Sequence, residues 1–189
     1  MRSHVMIDLE TLGLRQTTVF LSCGLVSFEP TTGEVDVNNA ICLYPSVKEQ
    51  HDRGRTHEKS TMDWWENQTA EARKETFVNL DEQLPLDEFC GTLRHWLNTN
   101  TLAHKSRLVW SNGAGFDIPI IENLFESMEL GIPWTFWNIR DTRTAWDMAG
   151  VTYKKEENLI AHSAKHDAIE QAQRVCKAYG VLGLQKEKD

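Results

Sequence analysis

The chain has 189 residues, of which 40% are hydrophobic and 25% are charged, a balance typical of globular proteins that excludes disorder for most of the length. Its 20 basic and 28 acidic residues give a formal net charge of −8, which excludes a broad basic face for coating nucleic acid but not a strand held through metal ions. The four cysteines form no Cys-x-x-Cys pair, so we expect reduced, buried thiols rather than a zinc ribbon.

Three β-strands open the predicted fold. His4 to Asp8 reads as a short buried strand, Thr17 to Phe28 is rich in strand-forming residues, and Val35 to Tyr44 is the expected hairpin partner of the second strand. Gly33, in the turn between them, is available for a positive φ. Pro45 to Lys59 is polar and aperiodic, so we expect a loop there.

Helices and two further strands complete the predicted architecture. Ser60 is the expected cap of a helix over STMDWWENQ, and apolar residues recur at helical spacing between positions 86 and 97. Arg107 to Trp110 and Asn138 to Asp141 predict strands, with an amphipathic helix between them. A last helix is expected from Ser163 to Tyr179, ending at the glycine that follows. This order of elements predicts an α/β layer architecture.

Two carboxylates at the end of the first predicted strand are candidate ligands for a metal ion. Asp8 and Glu10 are separated by one residue, so both side chains project from the same face of a strand. Adjacent negative charges repel each other, and Mg²⁺ or Mn²⁺, which take oxygen ligands, would compensate them. A solvated strand end is the alternative, because two other acid-x-acid triplets occur in the chain.

Further candidates lie at two later element boundaries. Asp117 follows a strand and the glycine-bearing turn SNGAGF, where open α/β sheets place their sites, although a helix N-terminus also favours an acid without any function. In HSAKHD, His162 precedes a helix and Asp167 lies in its first turns. A histidine there suits a general base, with a surface histidine as the alternative and His166 as a competing candidate. Together, four carboxylates and a histidine predict two-metal phosphodiester hydrolysis.

Three motifs resemble those of the DnaQ-like 3′–5′ exonucleases of the DEDDh type. MIDLETLG is similar to the first exonuclease motif of that family, VWSNGAGFD to the second, and HSAKHDA to the third. The stretch TMDWWENQTAEA also resembles the small phage and bacterial branch that includes phage exonuclease A. The resemblance spans Val5 to Ala172, which is nearly the whole chain.

The resemblance implies a fold, an activity and a set of partners. The implied fold is α/β, a ribonuclease H-like mixed five-stranded sheet flanked by helices, in one exonuclease domain over residues 1–189 with a frayed tail from about residue 183. The implied activity is metal-dependent release of 5′-mononucleotides from the 3′ end of single-stranded DNA or RNA. The implied cofactors are two Mg²⁺ or Mn²⁺ ions, and a homodimer is a further implication.

The resemblance also implies a role for each candidate site residue. Asp8 would bridge two divalent ions. Glu10 and Asp167 would complete the coordination of one ion, and Asp117 would assist the other. His162 would be the general base. The residues assigned to substrate binding are Thr11, Leu12, Gly13, Asn112 and Phe116.

The sequence leaves other interpretations open. A catalytically silent nucleic-acid-binding or regulatory protein could share the fold, although such proteins commonly lose a ligand and here all five positions are filled. An acidic protein that mimics DNA would explain the net charge but not the motifs. Trp64 and Trp65 are either both structural or divided between the core and a substrate groove. Arg140 and Arg143 lie near the expected cleft by chain order, where they would contact phosphate, or else be solvated or held in salt bridges.

Chain composition also bears on location. The longest uncharged stretch, residues 16–28, has 13 residues, whereas a membrane span needs about 20. An acid already stands at position 8, too early for the apolar region of a signal peptide. We therefore expect a cytoplasmic protein with no membrane partner, and the resemblance to the phage and bacterial branch implies the cytoplasm of a bacterium or of a phage-infected cell.

Overall fold

A mixed β-sheet forms the centre of the fold. The computed structural model describes residues 2–152 and 162–186. The strands are β1 (His4–Thr11), β2 (Phe20–Glu29), β3 (Glu34–Val35), β4 (Ile41–Leu43), β5 (Leu108–Ser111) and β6 (Ile139–Asp141). Their order is β3-β2-β1-β5-β6, and β4 also pairs with β2. Strand β1 is antiparallel to β2 and parallel to β5, which is itself parallel to β6.

The predicted mixed sheet flanked by helices is confirmed, with six strands among the described residues rather than five. The expected hairpin partner of β2 is divided, because a 3₁₀ turn at Val37–Asn39 separates β3 from β4. Gly33 has a φ of +77° in the turn before β3, as predicted. All four cysteines are free thiols, also as predicted.

Seven helices surround the sheet in the described part of the chain. They are α1 (Val47–Asp52), α2 (Lys59–Glu66), α3 (Ala70–Thr76), α4 (Leu86–Asn100), α5 (Asp117–Ser127), α6 (Thr142–Ala149) and α7 (Ala164–Val181). None of these described helices is long and apolar enough to cross a lipid bilayer.

Several expectations about the helices are wrong. The segment expected to be a loop contains α1, which is capped by the Ser46 side chain. Ser60 does not cap α2, because that helix begins one residue earlier. Helix α7 continues one residue past Gly180. Helices α3 and α6 were not predicted at all, since each spans only about two turns.

Successive side chains of β1 point to opposite faces of the sheet. Alternate residues of this strand face α4 and α5 and belong to the largest apolar cluster; they are Val5, Ile7 and Leu9. Met6 faces the opposite side, where it packs in the cluster that contains the apolar residues of α7. Asp8 and Glu10 share the parity of Met6, so they project toward the α7 side of the sheet.

Helix α7 approaches β2 very closely at its first residue. Gly24 pairs with Asp8 across β1 and β2. A Cβ atom at Gly24 would lie 2.0 Å from the carbonyl oxygen of Ala164, so no other residue fits without a shift of the helix. This approach places the first turn of α7, including Asp167, over the two carboxylates of β1.

Part of the carboxyl-terminal tail that the sequence predicts to fray is held against the body. The Nε2 of Gln185 donates to the Cys176 carbonyl at 2.8 Å. The N–H of Lys186 donates to the Thr31 carbonyl at 2.8 Å. The last three residues of that predicted tail, 187–189, lie outside the described residues.

Candidate active site

Four carboxylates from three segments of the chain meet at the carboxyl end of β1. The sheet brings β1 and β5 side by side in parallel, so the residues that follow them reach the same edge. The four are Asp8 and Glu10 of β1, Asp117 at the start of α5 and Asp167 in the first turn of α7. Glu10 and Asp117 are buried, whereas Asp8 and Asp167 are half-buried.

Burial and mutual repulsion oppose ionisation of this cluster. Burial is the largest cause that raises the pKa of Asp8, followed by the charges of the other three carboxylates. Burial likewise raises the pKa of Glu10, and the charges of Asp167 and Asp117 raise it further. Burial also raises the pKa of Asp117. A cation among the carboxylates would reverse these shifts, because an opposite charge favours the ionised form.

Neutral groups donate hydrogen bonds to Asp117 and Asp8. The backbone N–H of Leu9 donates to Oδ1 of Asp117 at 3.2 Å. The Nε2 of Gln171 donates to Oδ1 of Asp8 at 2.7 Å. Sequence reasoning missed Gln171; the available signal is its position four residues after Asp167, which puts both side chains on one face of α7.

His162 lies beside two of the carboxylates. A ring nitrogen of His162 and carboxylate oxygens of Glu10 and Asp167 lie within 4.8 Å of one another. The residue has a positive φ of 59°, and two hydrogen bonds hold it there. Its N–H donates to Oδ2 of Asp167 at 3.1 Å, and its carbonyl accepts from the Thr76 hydroxyl at 2.9 Å. The unpredicted helix α3 therefore helps to place the histidine.

A cleft of about 450 Å³ is lined by three of the four carboxylates and by His162. The predicted residue Asn112 lines this cleft, and its Oδ1 accepts a hydrogen bond from Nε of Arg143 at 3.1 Å. Arg140 instead donates to the Trp137 carbonyl at 2.9 Å, away from the cleft. The lining residues are Asp8, Leu9, Glu10, Asn112, Arg143, Trp146, His162, Asp167, Glu170, Gln171 and Arg174. His166 is not one of them.

A second pocket, of about 400 Å³, adjoins the cleft at Glu10. Two predicted substrate-binding residues, Thr11 and Phe116, line it. The other lining residues are Leu9, Glu10, Leu14, Ser60, Thr61, Trp64 and Trp65. The Leu12 side chain packs instead in a separate apolar cluster with Trp65, and the buried Gly13 offers only its backbone.

The two adjacent tryptophans differ in exposure, although their rings meet edge-on with 5.0 Å between centroids. Trp65 is 2% exposed, and its Nε1 donates to the Thr11 carbonyl at 2.9 Å. Trp64 is 42% exposed, and its ring stands edge-on to His162 with 4.8 Å between ring centroids. One ring is thus in the core and the other is at the mouth of the second pocket.

Comparison of the sequence with known proteins gives two matches over most of the chain. Residues 3–180 match the profile of a family described as the 3′–5′ exoribonuclease Rv2179c-like domain. The chain is also 27% identical over 188 residues to an exodeoxyribonuclease of Enterobacteria phage T4, with 85% of this chain and 82% of that protein covered. The family match includes all five predicted catalytic positions.

Comparison of the fold with solved structures shows similarity to nucleases. The nuclease domain of 3′hExo, a DEDDh family member bound to rAMP, has a TM-score of 0.60 at 11% identity, with 98% of this chain and 96% of that chain covered. The zinc-bound E. coli ExoI complex with single-stranded DNA has a TM-score of 0.60 at 13% identity. Here 96% of this chain covers 40% of the ExoI chain. At these identities the similarities bear on the fold.

Proposed function

The chain belongs to the Rv2179c-like 3′–5′ exoribonuclease domain family and is a 3′–5′ exonuclease of the DnaQ-like DEDDh type; from this premise we propose that it releases 5′-mononucleotides from the 3′ end of single-stranded DNA or RNA. One observation carries this proposal. The fold brings four carboxylates and a histidine together from distant parts of the chain, and all but Asp117 line the cleft: Asp8, Glu10, Asp117, His162 and Asp167. The matched family is described by RNA cleavage and the phage relative by DNA cleavage, so the proposed substrate includes both.

The carboxylate cluster fits divalent cations. Its donors are all oxygen atoms, the ligand type that Mg²⁺ and Mn²⁺ prefer. Bound there, two such ions would neutralise the carboxylates and polarise the scissile phosphate. In this proposal Asp8 would be the ligand shared by both ions, the role that the family resemblance implies, and it lies close enough to the other three carboxylates for their charges to raise its pKa. Glu10 and Asp167 complete one position, and Asp117 contributes to the other.

His162 is the proposed general base. A water molecule between its ring and the cluster would transfer a proton to the imidazole as the water oxygen attacks phosphorus. The bond between phosphorus and the 3′ oxygen of the preceding nucleotide then breaks, which leaves the phosphate on the released 5′-mononucleotide. The hydrogen bonds to Thr76 and Asp167 would keep the base in place during this step.

The second pocket is the proposed site of the 3′-terminal nucleotide. It is continuous with the carboxylates through Glu10, and the exposed ring of Trp64 and the Phe116 side chain supply surfaces on which a base can stack. Thr11 contributes from the end of β1, Leu12 and Gly13 through their backbone, and Asn112 from the wall of the cleft. All five proposed catalytic residues come from one chain, so the proposed reaction uses no residue of a second copy. The homodimer suggested by the family resemblance finds no support in the relatives.

Digestion of matched DNA and RNA oligonucleotides tests the proposed function. A 3′-labelled single strand should lose its label at once in the presence of Mn²⁺, whereas a 5′-labelled strand should shorten stepwise. Chelation should abolish both reactions because it removes the cations. The Asp8→Asn substitution should do the same because it removes the shared carboxylate. A circular single strand should survive. Cleavage of the circle, or undiminished activity of chelated protein, would contradict the proposal.

A further inference from the structure

Gln171 is a buried amide among the carboxylates of the cleft. Its side chain is 6% exposed, and it lies on α7 one turn after Asp167. The amide Nε2 donates to Oδ1 of Asp8 at 2.7 Å. The amide oxygen Oε1 is buried and has no hydrogen-bond partner among the described residues. The amide nitrogen is thus bonded to a carboxylate of the site, and the amide oxygen has no partner in the described part of the chain.

The orientation of this amide is fixed by its neighbour. An amide rotated by half a turn would place Oε1 against the Asp8 carboxylate, where two oxygen atoms without a hydrogen would repel each other. The donor therefore faces Asp8, and the acceptor is the atom left without a partner, on a side chain that lines the cleft. A buried acceptor left unpaired is costly, so the packing of α7 alone would favour an apolar residue here.

We propose that Gln171 is a positioning residue for the divalent cations of the cleft, an inference that rests on the proposed function. Its N–H groups hold one oxygen of Asp8 and leave the other oxygen free for the cation. Its Oε1 accepts a hydrogen bond from a hydration water of that cation. Mg²⁺ keeps several waters when it binds to proteins, and partners of ligating carboxylates commonly contribute 10- to 100-fold to metal affinity.

Calorimetric titration with Mn²⁺ tests the inference in the full-length protein. Gln171→Met keeps the length and helix propensity of the side chain but makes no hydrogen bonds. We expect this substitution to weaken Mn²⁺ binding about 10- to 100-fold. The matched control is Gln173→Met, the same change two positions along α7 at a residue that does not line the cleft; it should bind Mn²⁺ like the wild type. Equal affinity of Gln171→Met and wild type would overturn the inference.

A second variant covers the case in which Gln171→Met does not fold. Gln171→Glu replaces the donor to Asp8 by another carboxylate, so the thermal midpoint of the metal-free protein should fall below that of the wild type. Saturating Mn²⁺ should remove this difference in thermal midpoint. A difference that stays the same with Mn²⁺ would indicate a purely packing role and would refute the inference. The wild type separates the two proposals. If it neither binds Mn²⁺ nor degrades oligonucleotides, the proposed function itself fails.

Discussion

Two histidines flank the start of α7, and only His162 lines the cleft. If His162 is the base, His162→Ala should lower the single-turnover rate about 10²- to 10⁴-fold, the usual contribution of a positioned base. The affinity for Mn²⁺ should change little, because all four carboxylates remain. Rapid-quench kinetics and calorimetric Mn²⁺ titration of the variant measure the two quantities separately.

His166→Ala is the matched control for this prediction. It removes the same chemical group next to Asp167, but adjacent residues of a helix point about 100° apart, so its rate should stay near that of the wild type. Asp167→Ala should lower both rate and Mn²⁺ affinity, since it removes a proposed ligand. A large loss in His166→Ala with a near-native His162→Ala would transfer the role of base to His166.

The candidate carboxylates at element boundaries could be predicted from the sequence, whereas the side chains that surround them in the fold could not. Asp8, Asp117 and Asp167 each stand where an apolar segment begins or ends, and that pattern is local. Gln171 carries no such signal, because a glutamine four residues after an acid is ordinary on an exposed helix face. The difference in exposure between Trp64 and Trp65 depends on how the helix is rotated against the sheet, which sequence spacing left undecided.

The close contact between α7 and β2 depends on the absence of a side chain at Gly24. Gly24→Ala would place a methyl group against the Ala164 carbonyl, where the distance is 2.0 Å. We expect a loss of about 1–3 kcal/mol in the free energy of unfolding, as for other overpacked sites. Displacement of α7 should also weaken Mn²⁺ binding, because Asp167 moves with it. Urea denaturation and Mn²⁺ titration measure both effects.

Gly91→Ala is the control for the same methyl addition. Gly91 lies inside α4, and a Cβ atom there would meet nothing within 4 Å. Its substitution should stabilise the protein by about 0.5–1 kcal/mol, the difference in helix propensity between the two residues. Full stability and full Mn²⁺ affinity in Gly24→Ala would show that α7 does not depend on this close approach.

Long periodic helices could be predicted from the sequence, and short ones could not. Helices α4 and α7 have 15 and 18 residues, enough for an apolar face to repeat. Helix α6 has 8 residues and too few turns for such a pattern. Its signals are at its ends, where the Asp141 side chain accepts from the Thr144 N–H at 2.9 Å and Gly150 has a φ of +62°. Asp141 instead reads as the end of a strand.

Global stability should depend on pH through His4, which lies far from the cleft in the layer between β1 and α7. Burial lowers the pKa of His4 to about 4, and its Nδ1 accepts a hydrogen bond from Nε1 of Trp110 at 2.8 Å, which requires the unprotonated atom. In the unfolded chain the pKa of histidine is about 6.5. Below that pH the unfolded state binds a proton that the folded state does not, so acid favours unfolding.

The wild type should therefore lose about 3 kcal/mol of unfolding free energy through His4 as the pH falls from about 6.5 to about 4. His4→Gln keeps a hydrogen-bond acceptor for Trp110 but does not titrate, so this loss should be absent from the variant. The carboxylate cluster, whose raised pKa values act in the opposite direction, is common to both proteins. Urea unfolding across this pH range gives the difference, and parallel curves would refute the prediction.

The hydrogen bond between Gln171 and Asp8 joins residues 163 positions apart. Asp8 and Glu10 are translated more than 150 residues before His162, Asp167 and Gln171. While α7 is still untranslated, the nascent chain therefore contains Asp8 and Glu10 but lacks the residues of α7 that face them. Under the proposed function, hydrolysis can begin only after translation has supplied α7, so the synthesis of these residues and their action on nucleic acid are separated in time.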